Sequence, residues 1–270
     1  MNSASLLPLF QEIQVYLIAA AFALARITGM LLITPVFSRL ALQGMVRNSI
    51  GIALCIPLLP MIVEAQKGIP FSAGTAAILL GKEAAVGMLI GLVAGIPFWA
   101  AELAGSLVDL QRGASMATLT DPSSEQVNVT GSLLTFTMLA LFLSSGGMRI
   151  TIGVFYESYG LWPVDRLLPV FGPDAGSRIL SLLDDMFAMG VLLVVPLVIA
   201  LLLSDVLLGL VSRASPQLHI FDLSLNVKSL VFALLIALYS SYMMRYMEFD
   251  LRYVLESTHK LEQIRGPVGR

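Results

Sequence analysis

The sequence predicts an all-α polytopic membrane protein, and three observations carry that prediction. Hydrophobic residues make up 57% of the 270 and charged residues only 13%, against roughly 25% charged in an ordinary soluble domain. The mean hydropathy is +0.86. Apolar runs recur along the chain between prolines, glycine pairs and charged breaks, and roughly 20 apolar residues suffice to cross the hydrocarbon core. A soluble chain of this length needs a charged exterior that this composition does not supply. Its apolar surface must therefore face lipid or other apolar chains.

The runs come in order. The first covers about residues 13–33 and stops at Thr34-Pro35. The second, about 49–63, carries Pro57 and Pro60 and is short for a span. The third, about 75–110, is the longest and contains Pro97, a place for a kink. The fourth covers about 127–145 and ends at Gly146 and Gly147, two residues that permit a bend. The fifth and sixth cover about 186–211 and 227–244. Between the fourth and fifth, residues 149–185 mix polar and apolar groups around Trp162-Pro163 and Gly172-Pro173. The amphipathic piece Ile150–Tyr159 fits either a re-entrant or interfacial element or a loop packed on its neighbours. The tail, residues 245–270, carries charges of both signs and is expected to be a short helix leaving the membrane. No linker divides the chain, so residues 1–270 are expected to form one membrane domain.

Charge places the ends. With six spans and the amino terminus inside, nine basic residues fall on the inner side and five on the outer, which favours both ends in the cytoplasm. The tail decides this, because without it the comparison is four against five. The first basic residue is Arg26, so the basic leader of a cleavable signal is missing and the first span is expected to stay.

Several functions are excluded by composition. A net charge of −2 offers no field for nucleic acid. The single cysteine, Cys55, lies in an apolar run and can form no internal disulfide. His219 and His259 show no metal-ligand spacing and suit solvated or capping roles. The chain has no phosphate loop, metalloprotease helix or nucleophile elbow. No cofactor and no catalysis are expected. Asn128-Val129-Thr130 matches a glycosylation pattern, as three residues do by chance.

The third run holds Lys82, Glu83, Glu102 and Asp109 in a segment otherwise fit for lipid. A charge at mid-bilayer costs at least about 2.5–3.5 kcal/mol on insertion scales. Gly87, Gly91 and Gly95 recur every fourth residue, a ladder that lets another helix approach closely. On a continuous helix, Glu83, Gly87, Gly91, Gly95, Glu102, Gly105, Asp109 and Arg112 fall within an arc of roughly 120°. That face should turn inward. Either its charges are paired groups holding helices in register, with Asp109 and Arg112 as one pair, or the face lines an aqueous path or a partner interface. Arg26 and Asp205 also need a partner or a wet cavity, and packing is the expectation for both. A secondary transporter with a midplane carboxylate site is the competing function. Against it stand the small size and the lack of an obvious internal repeat.

A family resemblance runs through the same residues. Gly81-Lys82-Glu83, Gly87, Gly91, the stretch Glu102-Leu103-Ala104-Gly105-Ser106-Leu107-Val108-Asp109-Leu110-Gln111-Arg112-Gly113 and Asp121-Pro122 together resemble the SctT/FliR family. The likeness extends to Thr34-Pro35-Val36-Phe37, Arg47, Gly146-Gly147, Glu157-Ser158-Tyr159, Trp162-Pro163 and Pro196. It ends with Ser215-Pro216-Gln217-Leu218-His219-Ile220-Phe221 and Lys228, His219 standing where the family pattern has Asn. Asp109-Leu110-Gln111-Arg112-Gly113 and Asp222-Leu223-Ser224 are closer to the injectisome branch than to the flagellar one.

The resemblance implies an export-gate subunit of a type III secretion system in the bacterial inner membrane. The implied fold is a set of helical hairpins and bent helices, like a fusion of the SctR/FliP and SctS/FliQ folds. The implied partners are chains of those two types, the SctU/FlhB-type switch protein, the membrane, and unfolded substrate proteins in transit. It also makes Glu83, Gly87, Gly91, Gly95, Glu102, Asp109, Arg112, Asp121, Gly146 and Gly147 candidates for the subunit interface or gate.

Overall fold

The structure is a computed structural model that describes residues 3–40, 44–67, 72–113, 128–214 and 220–266. Among the described residues the regular structure is eleven α-helices and one 3-10 turn, with no strand. In chain order the helices are α1 (Ser3–Ile33), α2 (Pro35–Arg39), α3 (Met45–Cys55), α4 (Leu59–Gln66), α5 (Ala73–Arg112), α6 (Val129–Ser144), α7 (Gly147–Leu161), α8 (Ala175–Ala214), α9 (Ile220–Asp250), α10 (Arg252–Leu255) and α11 (Ser257–Arg265).

Helix ends follow local chemistry. α1 stops because Thr34 precedes a proline and adopts extended backbone, φ −69° and ψ 120°. Its hydroxyl donates back to the Met30 carbonyl at 2.8 Å. Pro57 and Pro60 do not end the second run. They interrupt it with a 3-10 turn at Ile56–Leu58, and residues 45–66 together reach the length of a span. α6 begins at Asn128, whose side-chain oxygen accepts from the Gly131 N–H at 2.9 Å. The amide matched by the glycosylation pattern is thus a helix cap. Gly146, at φ +77°, breaks the chain between α6 and α7 in a conformation that glycine adopts without strain.

Among the described residues, five stretches are long and apolar enough to cross a membrane, at 12–33, 45–66, 73–112, 175–213 and 223–255. The broken pair α6 and α7 makes a sixth if counted as one span. α5 and α8 have 40 residues each, about 60 Å at 1.5 Å per residue. That is about twice the hydrocarbon thickness. α5 runs through Pro97 and α8 through Pro196 without ending.

The described chain packs as two compact units interleaved in sequence. The first comprises Met1–Gly95, Gly147–Leu182 and Val254–Arg270. Its core gathers Phe22, Ile27 and Met30 of α1, Ile62 of α4, Leu79, Val86 and Ile90 of α5, and Phe155 of α7. The amphipathic segment near residue 150 is a packed helix here. α7 buries Thr151, Val154, Phe155, Ser158 and Tyr159, the i, i+3, i+4 stripe of a half-buried helix.

The tail belongs to this unit as well. α11 buries Ser257, Leu261 and Ile264 and packs on α7, where Thr258 donates to Glu157 Oε2 at 2.7 Å. Gly172 N–H donates to the Ile264 carbonyl at 3.1 Å. The expectation of a short helix leaving the membrane did not include this docking, because two apolar residues, Leu261 and Ile264, in a charged segment give a weak signal.

The second unit comprises Ile96–Gly146 and Leu183–Tyr253. Phe98 of α5 meets Phe142 of α6 edge to face, centroids 5.2 Å apart, and Leu193, Val194 and Leu201 of α8 are buried. Gly190 brings α8 against α5: a Cβ there would lie 2.8 Å from the Ala100 carbonyl. In the first unit, His259 is exposed on α11 and shares a hydrogen bond with Gln263. Asp121-Pro122, Ser215–Leu218 and His219 lie outside the described residues.

Candidate functional site

Two polar clusters lie inside this apolar chain, one in each unit. In the first, Arg26 of α1 and Glu83 of α5 are both wholly buried. Arg26 Nε donates to Glu83 Oε2 at 2.6 Å. Nη1 donates to Ser158 Oγ at 3.0 Å, and Nη2 to the Trp162 carbonyl at 2.7 Å. The guanidinium carbon lies 3.8 Å from the centre of the Tyr159 ring, where the negative face of the ring attracts it. Each feature of the planar fork is used, which a lysine could not reproduce.

Lys82, the neighbour of Glu83, is buried too. Its Nζ lies 2.8 Å from Glu83 Oε1, although that oxygen has no aligned hydrogen-bond donor. The same ammonium donates to the carbonyls of Pro163 at 2.8 Å and Arg166 at 2.9 Å. The cluster thus has two cations and one carboxylate. The remaining positive charge sits against the carbonyls of Trp162, Pro163 and Arg166, where α7 has just ended. That is the negative end of the helix dipole, with carbonyls that need donors. Pro163 contributes an acceptor and no donor, which adds to the demand.

Close approach of α1 and α5 makes this possible. A Cβ on Gly87 would run into the Arg26 backbone carbonyl, and one on Gly91 would lie 2.7 Å from the Met30 carbonyl. From the other helix, a Cβ on Gly29 would meet the Ala84 carbonyl. Gly95 is buried one turn further along α5. Two of the ladder glycines therefore set the spacing that brings Arg26 to Glu83.

The second cluster closes the end of α5. Asp109 Oδ2 accepts from the Thr130 backbone N–H at 2.8 Å, and Oδ1 from the Thr130 hydroxyl at 2.5 Å. A carboxylate from α5 thereby caps the first turn of α6, where free N–H groups and the positive dipole end favour an anion. Arg112 Nη1 lies 3.4 Å from Asp109 Oδ1, the pair expected from the sequence, and its guanidinium covers the Phe232 ring at 4.2 Å. Asn128 donates to Ser106 Oγ. A Cβ on Gly105 would collide with the backbone of Thr130 and Gly131. Lys228 of α9 donates to the Gln111 carbonyl at 3.0 Å and pairs with Asp205 of α8 at 2.6 Å. The carbonyl end of α5 is thus capped by a cation.

The candidate residues distribute as follows. Glu83, Gly87 and Gly91 belong to the first cluster, and Asp109 and Arg112 to the second. Glu102 is half-buried on α5, and its backbone carbonyl accepts from the Ser106 hydroxyl at 2.8 Å. Gly146 forms the break before α7, with open space where a Cβ would stand, and Gly147 is buried at the start of α7. Asp121 lies outside the described residues. Pattern reading missed Ser158, Tyr159, Trp162, Thr130 and Asn128 as partners. Among the described residues no group of three His, Cys, Asp or Glu side chains is placed to hold a metal ion.

Comparison with known proteins adds an independent finding. Residues 17–253 match the model of a family described as bacterial export proteins, family 1. The chain is 35% identical over 246 residues to the Yop proteins translocation protein T of Yersinia pestis, covering 90% of this chain and 94% of that protein. It is 30% identical over 251 residues to the secretion system apparatus protein SsaT of Salmonella typhimurium, covering 90% and 96%. With the flagellar biosynthetic protein FliR of Bacillus subtilis it shares 33% identity over 153 residues, 56% of this chain and 59% of that one.

Proposed function

The chain belongs to the SctT/FliR family of bacterial export proteins, and from that premise we propose how it serves as an export-gate subunit of type III secretion. It lies in the bacterial inner membrane and assembles there with SctR- and SctS-type chains and the SctU-type switch protein. It supplies wall and closure to a conduit for unfolded protein and makes no bonds itself. The injectisome branch is favoured by identity and coverage taken together, 35% over nine-tenths of the chain for the Yersinia relative, a combination that the Bacillus and Caulobacter flagellar relatives do not reach.

One observation carries the assembly. The most apolar window of α9, with mean hydropathy 1.7, has none of its residues buried within the chain. Such a helix is built to be covered by apolar neighbours. The two polar clusters work inside the subunit, as fasteners that hold α1, α5 and α7, and α5, α6, α8 and α9, at fixed spacing. A transporter would keep its carboxylate open to water, whereas Glu83 is fully enclosed and paired.

Extraction of the tagged chain in mild detergent, followed by mass analysis of what comes with it, tests the assembly. SctR- and SctS-type chains in excess over this one are expected. A solitary, well-behaved monomer would overturn it.

A further inference from the structure

A groove of about 280 Å³ opens between α1 and α3 in the first unit. Leu24, Leu31 and Ile52 form its apolar wall over the small residue Gly51, and Thr28, Arg47 and Asn48 supply its polar groups. Arg47 and Asn48 stand one turn ahead of Gly51 and Ile52 on α3, so the polar and aliphatic parts follow one another along the helix. Arg47 is half-buried, and among the described residues it has neither a carboxylate partner nor a side-chain hydrogen bond. Its own helix gives no counter-charge, because the first turn of a helix is the positive end. Leu32, Met45 and Val46, all exposed nearby in sequence, make the surroundings apolar.

We propose that this groove binds an anionic phospholipid. The phosphodiester sits on the Arg47 guanidinium, which matches two phosphate oxygens at once. The Asn48 amide is a second donor, and one acyl chain lies along Leu24, Leu31 and Ile52. A single isolated cation beside an aliphatic wall fits the single charge of a phosphodiester at the boundary of headgroup and acyl chain. An acidic protein segment would call for several cations. The site rests only on the chain lying in a membrane and is independent of its part in export.

The test uses the full chain, extracted with its partners in mild detergent, stripped of lipid and offered phosphatidylglycerol or phosphatidylcholine. Native mass spectrometry then counts bound lipid. The wild type is expected to retain phosphatidylglycerol about tenfold better than phosphatidylcholine, the worth of one charge-assisted contact. Arg47→Gln should erase that preference, and Ile52→Trp, which fills the groove, should lower retention of both lipids. Arg213→Gln, an exposed arginine elsewhere, should change nothing. Circular dichroism checks the fold, and if Arg47→Gln loses helicity the Ile52→Trp comparison decides. Equal retention by wild type and both groove variants would overturn the site. So would a photo-crosslinker at position 52 that captures an acidic segment of a partner chain instead of lipid.

Discussion

Glu83 is the residue on which the first unit depends most. Glu83→Gln leaves Arg26 and Lys82 as two buried cations with no buried carboxylate beside them, and breaking a buried pair from one side costs about 3–5 kcal/mol. The expected outcome is a large fall in folded protein recovered from membranes, and secretion should fall with it. Tyr159→Phe provides the contrast. The Tyr159 hydroxyl is buried with no hydrogen-bond partner, while its ring covers Arg26. Removal of an unsatisfied hydroxyl with retention of the ring should leave stability unchanged or raise it by about 1 kcal/mol. If thermal melting of the two extracted variants were indistinguishable, the cluster would not be the fastener described above. Chemistry made Arg26 and Glu83 suspect, since a charge in an apolar run needs a partner. Which partner each takes was not legible, because Arg26 and Glu83 are 57 residues apart and any buried acid would satisfy a buried guanidinium on paper.

At the scale of elements, the contact of α1 with α5 turns on missing side chains. Gly87→Ala would drive a methyl into the Arg26 carbonyl, which belongs to backbone and cannot rotate away. Overpacking of this kind costs typically about 1–3 kcal/mol and here would also part Arg26 from Glu83. Gly81→Ala, six residues earlier on the same helix, meets open space. It should stabilise α5 by up to about 1 kcal/mol, the helix preference of alanine over glycine. Opposite shifts in melting temperature of the extracted complex are expected; a like shift for both would argue against close packing at Gly87. The ladder of glycines was visible as a pattern, and its use by α1 was not. Elsewhere the long apolar runs gave the helices to within a few residues at most ends. α8 began 11 residues early, because its amphipathic first turns lack the continuous apolarity that marked the run.

For the molecule as a whole, the exposed leucines of α9 carry the prediction. Leu230, Leu234 and Leu238 repeat every fourth residue and are 72%, 62% and 74% exposed. Single cysteines at these positions, in a chain with Cys55→Ala, should cross-link to partner chains in the assembled complex. Labelling of all three by a lipid-phase reagent without any cross-link would mean that bilayer, and not protein, covers this face. α5, at about 60 Å, has the same implication: a helix twice as long as the hydrocarbon is thick needs support beyond it.

Composition by itself determined that the chain is helical and lives against lipid or apolar protein, because hydrophobicity summed over a window does not depend on what the window touches. Motif order carried the family for the same reason, and three of its residues, Ser158, Tyr159 and Trp162, proved to be partners of the buried Arg26. Only the tertiary structure decided that Arg26 meets Glu83 and Lys228 meets Asp205, that α7 and α11 pack as helices of one unit, and that Asp109 caps α6. Those outcomes depend on distances between segments remote in sequence, fixed by backbone approach at a few glycines. No local pattern encodes them.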